Sequence, residues 1–384
     1  MKDLFLLRED ITFLNFGSFG ACPKEIFEDY LKWQYLLEKE PVQFITKDGY
    51  VYIKKAAIAL AEFVHCASDD LIFVPNPTHA INLIAKNIIL RPGDEILTTN
   101  LEYGAMDKTW SYYCEKNQLK YIRQNISLPI KSKEEFLAEF WKGFSDKTKV
   151  VFISQITSST ALILPVKEIC AEAKIRGLIT IVDGAHVPGH IPLDLSDMEA
   201  DFYTGACHKW MMTPKGSSFL FVKKEFQGIL DPLIISWGYD SIAPSESTFF
   251  DYHQFNGTRD FSAYLTLPKA IEFREEYAWE DVSTSCKLAL LECAPKLFNE
   301  LKTQPLAPLN STYFGQICSS EIQTEKPEQL QRLLYEKYKI EIPIMRHGLK
   351  NYIRFSFQAF NTEAEIDFLI YALQDIKKQS NLLF

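Results

Sequence analysis

The sequence predicts an α/β protein with a mainly parallel central sheet and a smaller α+β domain towards the C-terminal end. Between about residues 95 and 222, short apolar strands alternate with amphipathic helices, as in parallel sheets that helices cover on both faces. After about residue 262 the pattern changes to long helices with few strands. The 384 residues, 47% of them hydrophobic, are enough for two domains with substantial cores.

The large domain is predicted to cover residues 23–261. We predict helices at 24–40, 50–65, 78–90, 105–116, 133–144 and 166–175, and strands at 95–99, 120–123, 150–154, 178–182 and 217–222. Ligands bind outside the carboxyl ends of such parallel strands. Residues that directly follow a strand are therefore candidates for chemistry.

The small domain is predicted to cover residues 262–384, and residues 1–22 form a separate N-terminal segment. The helices of the small domain are predicted at 262–277, 280–301 and 363–378, and its strands near 311–317 and 351–357. No internal repeat or low-complexity tract interrupts this organisation.

Composition and charge argue against several classes of function. The net charge of −9 disfavours a nucleic-acid or anionic-membrane surface, because such partners need a basic face. No apolar run approaches the roughly 18 residues of a membrane span, and the N-terminus lacks the pattern of a signal peptide. The eight cysteines are scattered without a CxxC pair, so neither a zinc knuckle nor a disulfide framework is indicated. We therefore expect a cytoplasmic enzyme with reduced cysteines.

Lys209 lies in the segment TGACHKW, at the end of a probable strand. A lysine whose pKa is lowered by burial or by a nearby cation can attack a carbonyl group and form an imine. For an isolated lysine, a surface turn is the commoner explanation. A second segment changes that balance.

Asp183 ends the apolar run Ile179–Val182, within ITIVDGAH. A carboxylate there is costly to ionise unless a cation pairs with it. The protonated pyridine nitrogen of pyridoxal 5′-phosphate (PLP) is such a cation, and the pairing lets the ring act as an electron sink. A helix-capping role for Asp183 is an equally good explanation of this segment by itself.

A metal site formed by Asp183, His186 and His190 is an alternative function for this segment. The two histidines are four residues apart, which would place them on one face of a helix. Pro188 and Gly189 lie between them and disfavour a regular helix, so the spacing loses its meaning and we predict no metal.

These segments together resemble the class V aminotransferase family of PLP enzymes. The matching segments are 14–20 (LNFGSFG), 75–82 (PNPTHAIN), Tyr103, 154–166 (SQITSSTALILPV), 182–186 (VDGAH), 207–210 (CHKW), 256–260 (NGTRD) and 353–362 (IRFSFQAFNT). Each segment is weak by itself, but their order and spacing across most of the chain are specific. The resemblance implies PLP as the cofactor and the PLP-dependent transferase fold, which is that of aspartate aminotransferase.

The resemblance also implies roles for individual residues at the cofactor ring. Lys209 would hold PLP as a Schiff base and move the proton of the substrate Cα. Asp183 would pair with the pyridinium nitrogen, and the Tyr103 ring would stack on the cofactor. His186 would contact the side of the ring that carries the hydroxyl group.

The phosphate of the cofactor would lie at the start of the helix 78–90, where Thr78 and the free amides bind an anion well. Capping of the helix is an alternative or additional role for Thr78. His208 and Ser158 would add cofactor contacts. Thr258 would reach the phosphate of a neighbouring subunit, which implies a homodimer.

The resemblance assigns the substrate carboxylate to Arg354, whose planar guanidinium suits bidentate binding. Asn15, in the N-terminal segment, would lie near the same carboxylate. A structural salt bridge to Glu363 or Glu365 is the alternative for Arg354.

Three positions depart from the family pattern. Ala161 stands where related sequences usually have glycine, Gln155 where many have histidine, and Ala206 where the epimerase-like branch often has asparagine. These departures concern the shape of the pocket and the choice of substrate rather than the cofactor.

The region 338–362 resembles the isopenicillin N epimerases, which implies an epimerase or racemase that acts at the Cα of an amino acid. Epimerisation needs proton transfer on both faces of Cα; Lys209 serves one, and Tyr103 and His208 are candidates for the other. The alternatives are another class V reaction (lyase, desulfurase or aminotransferase) or a non-catalytic PLP-fold binding protein. A desulfurase needs a mobile cysteine shortly before Arg354, where none occurs, so Cys207 is the main rival acceptor.

Overall fold

The computed structural model describes residues 1–384, which form three β-sheets surrounded by helices. The strands are β1 (Thr12–Phe13), β2 (Leu71–Val74), β3 (Glu95–Thr99), β4 (Lys120–Gln124), β5 (Thr148–Ser154), β6 (Ile179–Gly184), β7 (Phe202–Ala206), β8 (Ser218–Val222), β9 (Ile317–Glu321), β10 (Ile340–Glu341), β11 (Ile344–His347) and β12 (Lys350–Ser356).

Helices pack around these sheets, and most of the longer ones were predicted from the sequence; the helix Pro327–Tyr338 was not. They are α1 (Phe16–Phe19), α2 (Lys24–Lys39), α3 (Pro41–Gln43), α4 (Gly49–Val64), α5 (Pro77–Asn87), α6 (Gly104–Lys116), α7 (Lys133–Phe140), α8 (Val166–Ile175), α9 (Leu195–Met198), α10 (Lys224–Gln227), α11 (Thr248–Gln254), α12 (Ser262–Leu265), α13 (Leu267–Glu276), α14 (Trp279–Leu301), α15 (Pro327–Tyr338) and α16 (Glu363–Gln379). None of them is both long and apolar enough to cross a bilayer.

The central sheet has seven strands in the order β2-β8-β7-β6-β5-β3-β4. Strands β4, β3, β5, β6 and β7 run parallel, and β8 is antiparallel to both of its neighbours. Both faces are covered, because successive residues of β5 belong to two different cores. Val151 and Ile153 pack in the larger core, and Val150 and Phe152 in the smaller one. The prediction of a mainly parallel sheet is confirmed.

The C-terminal part contains the three-stranded antiparallel sheet β11-β12-β9, against which α14 packs. The N-terminal segment joins this part directly, because β1 pairs in parallel with β10. The expected α+β character of this region is therefore present. The domain boundaries near residues 22 and 261 remain predictions.

Several predicted elements need correction. The strand predicted near 311–317 is wrong: Asn310 starts a turn there, with its side chain accepting from the Thr312 amide and its carbonyl accepting from the Tyr313 and Phe314 amides. The strand begins only at Ile317. The helix predicted at 262–277 is two helices, and Pro268 lies in the first turn of the second, which begins at Leu267. The short apolar strand β2 was not predicted.

Candidate active site

A cavity of about 360 Å³ lies at the carboxyl ends of β3, β5, β6 and β7. Eight of the ten predicted site residues line it: Thr78, Tyr103, Ser158, Asp183, His186, His208, Lys209 and Arg354. Their side chains come from the loops that follow β3, β5, β6 and β7, from strands β6 and β12, and from the first turn of α5. The parallel sheet brings these loops together because its strands all end at the same edge.

Lys209 lies on the turn that follows β7, three residues beyond the end of that strand. Its Nζ atom is 3.1 Å from Nε2 of His186. Burial, together with the positive charge of Arg354, lowers the pKa of the Lys209 ammonium to about 7. A substantial fraction of this lysine is therefore a free amine near neutral pH, as imine formation requires.

The N-terminal segment packs directly on the turn that carries Lys209. Gly20 has a φ of +65°, and a Cβ atom there would lie 2.5 Å from the His208 carbonyl oxygen and 2.6 Å from that of Lys209. Only glycine fits both the backbone conformation and this close approach. The contact fixes the position of the turn from the outside.

Asp183 is buried within β6, one residue before the strand ends at Gly184, rather than directly after it. Its Oδ1 accepts a hydrogen bond from the Ala185 amide at 2.9 Å, and Oδ2 makes no hydrogen bond within the chain. Burial raises the pKa of this carboxyl, although the Ala185 amide and Lys209 oppose that shift. A carboxylate with one fixed oxygen and one free oxygen on a cavity fits a cationic ring nitrogen.

The N-terminus of α5 forms another wall of the cavity. Asn76, and not Thr78, caps this helix: its side chain accepts from the His79 amide at 2.9 Å. Thr78 follows Pro77 in the first turn, and its hydroxyl makes no hydrogen bond within the chain. Pro77 has no N–H and the His79 amide is bonded to Asn76, so the unpaired donor of the first turn is the Thr78 amide. This amide and the Thr78 hydroxyl fit the phosphate of a cofactor.

His208 is buried on the same wall, and its Nδ1 donates to the Ser217 carbonyl at 2.9 Å. In the neutral ring, Nε2 therefore carries no proton and cannot donate to a phosphate. Burial lowers the pKa of His208 to about 4. A phosphate contact of this histidine requires that the bound anion raise this pKa and stabilise the imidazolium.

Arg354 is buried on β12 without a carboxylate partner. Its Nη1 donates to the Ser158 carbonyl at 2.8 Å, and its Nη2 donates to the Ser18 hydroxyl at 2.9 Å. The alternative salt bridge is wrong: Glu363 pairs with Lys296, and Glu365 accepts from the Thr362 and Asn361 N–H groups. A buried guanidinium held only by neutral oxygens at the edge of a cavity has room for a carboxylate ligand.

Two predicted residues lie outside the cavity. Asn15 contacts Arg354 only indirectly, because Ser18 donates to the Asn15 side chain at 2.5 Å and itself accepts from Arg354. Thr258 is exposed on the turn before α12 and is not part of the site of its own chain. The roles of all ten residues towards a cofactor or substrate stay predictions.

Sequence reasoning missed Glu102, which lies behind the cavity wall. Its buried carboxylate accepts from the Thr99 hydroxyl at 2.7 Å and from the Ser154 amide at 2.9 Å. Burial raises its pKa to about 7, and the nearby carboxylate of Asp183 adds to this effect. The sequence could have indicated Glu102, because it directly precedes Tyr103 and comes shortly after a predicted strand. Ser18 and Met345 also line the cavity and were not predicted.

The structure contains no group of three or more His, Cys, Asp and Glu side chains arranged to hold a metal ion. The segment between the two histidines is a series of turns rather than a helix. His190 has a structural environment: its Nδ1 donates to the His186 carbonyl, its Nε2 accepts from the Gln316 amide, and its ring stacks on Trp210.

The eight cysteines are all free. Cys207 is fully buried below the Lys209 turn and does not line the cavity. Burial raises the pKa of its thiol to about 12, and it does the same for Cys318 on β9. Neither thiol would be ionised near neutral pH, so neither is a good nucleophile.

Two of the three departures from the family pattern, Ala161 and Gln155, have a distinct local environment. Ala161 adopts a φ of +57°, a conformation that glycine accommodates with less strain. Gln155 points away from the cavity and accepts a hydrogen bond from the Tyr203 hydroxyl at 2.7 Å.

Comparison with protein families gives a match over residues 39–369 to the model described as Aminotransferase class-V. This chain belongs to the class V aminotransferase family. Class V aminotransferases are PLP enzymes, and the free Asp183 oxygen, the first turn of α5 and the Lys209 amine fit that cofactor in this member. The family and the cofactor that the sequence predicted are confirmed.

The chain is also similar to individual proteins with different activities. The class V chain is 30% identical to the isopenicillin N epimerase of Streptomyces clavuligerus, with 96% of this chain and 95% of the relative covered. It is 25% identical to the probable chloroplastic L-cysteine desulfhydrase of Arabidopsis thaliana, over 92% of this chain and 80% of the relative. The apo cysteine desulfurase of Thermococcus onnurineus has the same fold, with a TM-score of 0.84, 20% identity and coverage of 98% and 97%.

Proposed function

We propose that this protein is a PLP-dependent amino-acid epimerase or racemase that acts at Cα. The observation that carries the proposal is the meeting of Lys209, Asp183 and Arg354 around one cavity. The resemblance of the whole chain to an isopenicillin N epimerase supports the choice of reaction. When bound, PLP would supply the electron sink that makes the Cα proton of an amino acid acidic.

The side chains of the site divide the remaining work. Arg354 binds the α-carboxylate and so places Cα within the cavity. Asp183 keeps a negative charge beside the ring nitrogen. Lys209 removes and returns the Cα proton at Nζ, and its pKa of about 7 suits proton transfer in both directions. His186, neutral because burial holds its pKa well below its usual value, keeps Nζ in place.

Inversion also needs a proton donor on the opposite face of Cα. We assign this role to the Tyr103 hydroxyl. Tyr103 precedes α6 on the β3 side of the cavity, whereas Lys209 follows β7 on the other side. Tyr103 as a residue is 45% exposed, so we expect its hydroxyl to exchange its proton with water between turnovers.

An elimination reaction is the second candidate, because the resemblance to an L-cysteine desulfhydrase favours it. It uses the same proton abstraction by Lys209 and needs no cysteine nucleophile. A desulfurase is disfavoured, because the buried thiols of Cys207 and Cys318 are poor persulfide acceptors.

The test is a screen of L-amino acids with the PLP-loaded protein in deuterated buffer, followed by mass spectrometry and chiral chromatography. We expect Cα deuterium in both the L and the D product, with no keto acid or sulfide released. Tyr103→Phe should keep deuterium exchange in the L form and lose D product by at least 10-fold, whereas Lys209→Ala should lose both. Release of pyruvate and sulfide in equal amounts from L-cysteine would show that the protein is a lyase and not an epimerase. Sulfur release that disappears in Cys207→Ser would identify a desulfurase.

A further inference from the structure

The hairpin β11–β12 turns one of its two faces towards the cavity. Residues opposite each other in an antiparallel pair point to the same face, as do residues two apart along a strand. Met345 is opposite Tyr352, which is two residues before Arg354. Met345, His347 and Arg354 therefore share one face, and both Met345 and Arg354 line the cavity.

The opposite face of the hairpin is occupied. Ile344 and Ile353 are opposite each other and are buried in the larger core, and the Ile344 amide donates to the side chain of Gln331 on α15. This packing fixes which face the strand presents to the cavity. Met345 cannot exchange places with its neighbours without a shift in register.

The outer end of the hairpin is attached to the large domain. His347 donates from Nε2 to the Asn100 carbonyl at 2.6 Å, and Asn100 begins the loop that leads to Tyr103. The hairpin is thus held at its inner end by β9 and at its outer end by this hydrogen bond. Met345 lies between the two attachments, in a fixed position beside the predicted carboxylate site.

The rest of the cavity offers no charge for a substrate side chain. Apart from the groups assigned to the cofactor and to the α-carboxylate, no lining residue is charged, and Phe19, Ile156 and Met345 are apolar. Burying a charged side chain there would be unfavourable, because this chain supplies no partner for it.

We propose that Met345 is the specificity-determining wall that contacts the substrate side chain, and that it selects uncharged, largely aliphatic side chains. This inference rests on the proposed function, because it takes the α-carboxylate of an amino acid to lie on Arg354. A substrate bound there has its Cα within reach of Lys209. The neighbouring position on the same face of the hairpin then lies beside its side chain.

The experiment compares Met345→Ala and Met345→Lys with wild type, each loaded with PLP, on L-alanine, L-norleucine and L-glutamate. Cα exchange gives kcat/KM, and the change in cofactor absorbance on adding each amino acid gives a dissociation constant that does not depend on turnover. Leu349→Lys, at the 97% exposed tip of the same hairpin, is the matched control. Thermal unfolding of each variant checks that the fold is intact.

We expect wild type to prefer L-norleucine to L-glutamate. Met345→Ala should reduce the preference for L-norleucine over L-alanine by about 10-fold, the effect of losing apolar contacts in a pocket. Met345→Lys should shift the ratio of L-glutamate to L-norleucine by at least 10-fold towards glutamate, and Leu349→Lys should leave both ratios unchanged. The proposed role of Met345 is wrong if neither Met345 variant changes these substrate preferences. It is also wrong if Leu349→Lys changes them equally.

The two proposals fail in different ways. If absorbance shows that the amino acids bind but no Cα exchange occurs, the proposed epimerase function is wrong. The ratios of the dissociation constants then still test the role of Met345. If wild type binds none of the three amino acids, both proposals are overturned.

Discussion

Individual buried charges define the chemistry of this site. Arg354, Lys209 and Asp183 are each held in a water-poor environment in which an unpaired charge is unfavourable. Burial lowers the pKa of Arg354 to about 10 and that of Lys209 to about 7, and it raises the pKa of Asp183. Each shift weakens when a group of opposite charge binds. The site is therefore organised for a ligand that brings a cation to Asp183 and an anion to Arg354.

At the residue scale, we predict that Arg354→Lys weakens substrate binding far more than it weakens cofactor retention. Lysine keeps the charge but loses the planar pair of donors, a loss of about 1–3 kcal/mol, or roughly 5- to 150-fold in KM. Initial rates of Cα exchange measure KM, and gel filtration followed by absorbance measures retained PLP. Arg346→Lys, an exposed position on the same hairpin, is the control. Parallel loss of substrate and cofactor binding would mean that Arg354 is structural.

Pairs of elements decide where these groups lie. The turn after β7 has its shape set by β8, since the Ser217 carbonyl accepts from the Cys207 and His208 amides and from the His208 ring. The N-terminal segment closes the turn from the other side through Gly20. The same segment supplies Ser18 to Arg354 and is anchored to the C-terminal part through β1 and β10. One short segment thus positions both the lysine and the arginine.

At the element scale, we predict that Gly20→Ala destabilises the protein and reduces PLP retention. A Cβ atom at this position overlaps the backbone of the Lys209 turn, which cannot move without displacing Nζ. We expect the free energy of unfolding, measured by denaturant titration, to fall by about 1–3 kcal/mol. The positive φ accounts for about 1 kcal/mol of this loss, and the overlap with the Lys209 turn accounts for the rest. Gly177→Ala is the matched control, because Gly177 has a φ of +68° and its Cβ would meet nothing within 4 Å. Equal loss of stability and of cofactor in the two variants would contradict the close packing.

The surface of the whole molecule carries an apolar stretch in the segment that precedes the turn with Thr258. Ile234, Ile235, Trp237 and Ile242 are 52%, 64%, 84% and 98% exposed. Contiguous exposed apolar side chains of this size usually mark an interaction surface. Thr258 itself is exposed and lies outside its own cavity, as a residue that serves a second copy would.

At the scale of the whole molecule, we predict a homodimer in which Thr258 completes the site of the partner. Thr258→Ala alone and Lys209→Ala alone should each leave a defective enzyme. Co-refolded mixtures of the two variants should recover up to about a quarter of wild-type activity, because half of the dimers in an equal mixture are mixed and hold one intact site. Analytical ultracentrifugation of Trp237→Ser should show weaker dimers, and Ile89→Ser, 85% exposed elsewhere, should not. Tight PLP binding by a monomer would contradict the arrangement.

The sequence by itself determined the layered architecture and proposed which residues react. Alternating strands and helices predicted the parallel sheet, since hydrophobic periodicity is a local property of the chain. Lys209 and Asp183 could be selected because each follows or ends an apolar strand, where a polar group is conspicuous. Roles that came from the family resemblance, such as that of Arg354, depended on motif order and not on any distance.

Only the tertiary structure decided which groups touch and what environment each has. The pairing of Arg354 with Ser18 spans 336 residues, and the contact of Gly20 with the Lys209 turn spans 189 (from 20 to 209). No local pattern encodes such contacts. Strand register and packing between distant elements decide three further features. These are the burial of Glu102, the absence of a carboxylate partner for Arg354, and the face of the hairpin on which Met345 lies. The strand misplaced near 311–317 has a local cause instead, because the side chain and carbonyl of Asn310 form a turn with the amides of residues 312–314. Residue type therefore set the possible chemistry, and long-range packing selected the atoms that can perform it.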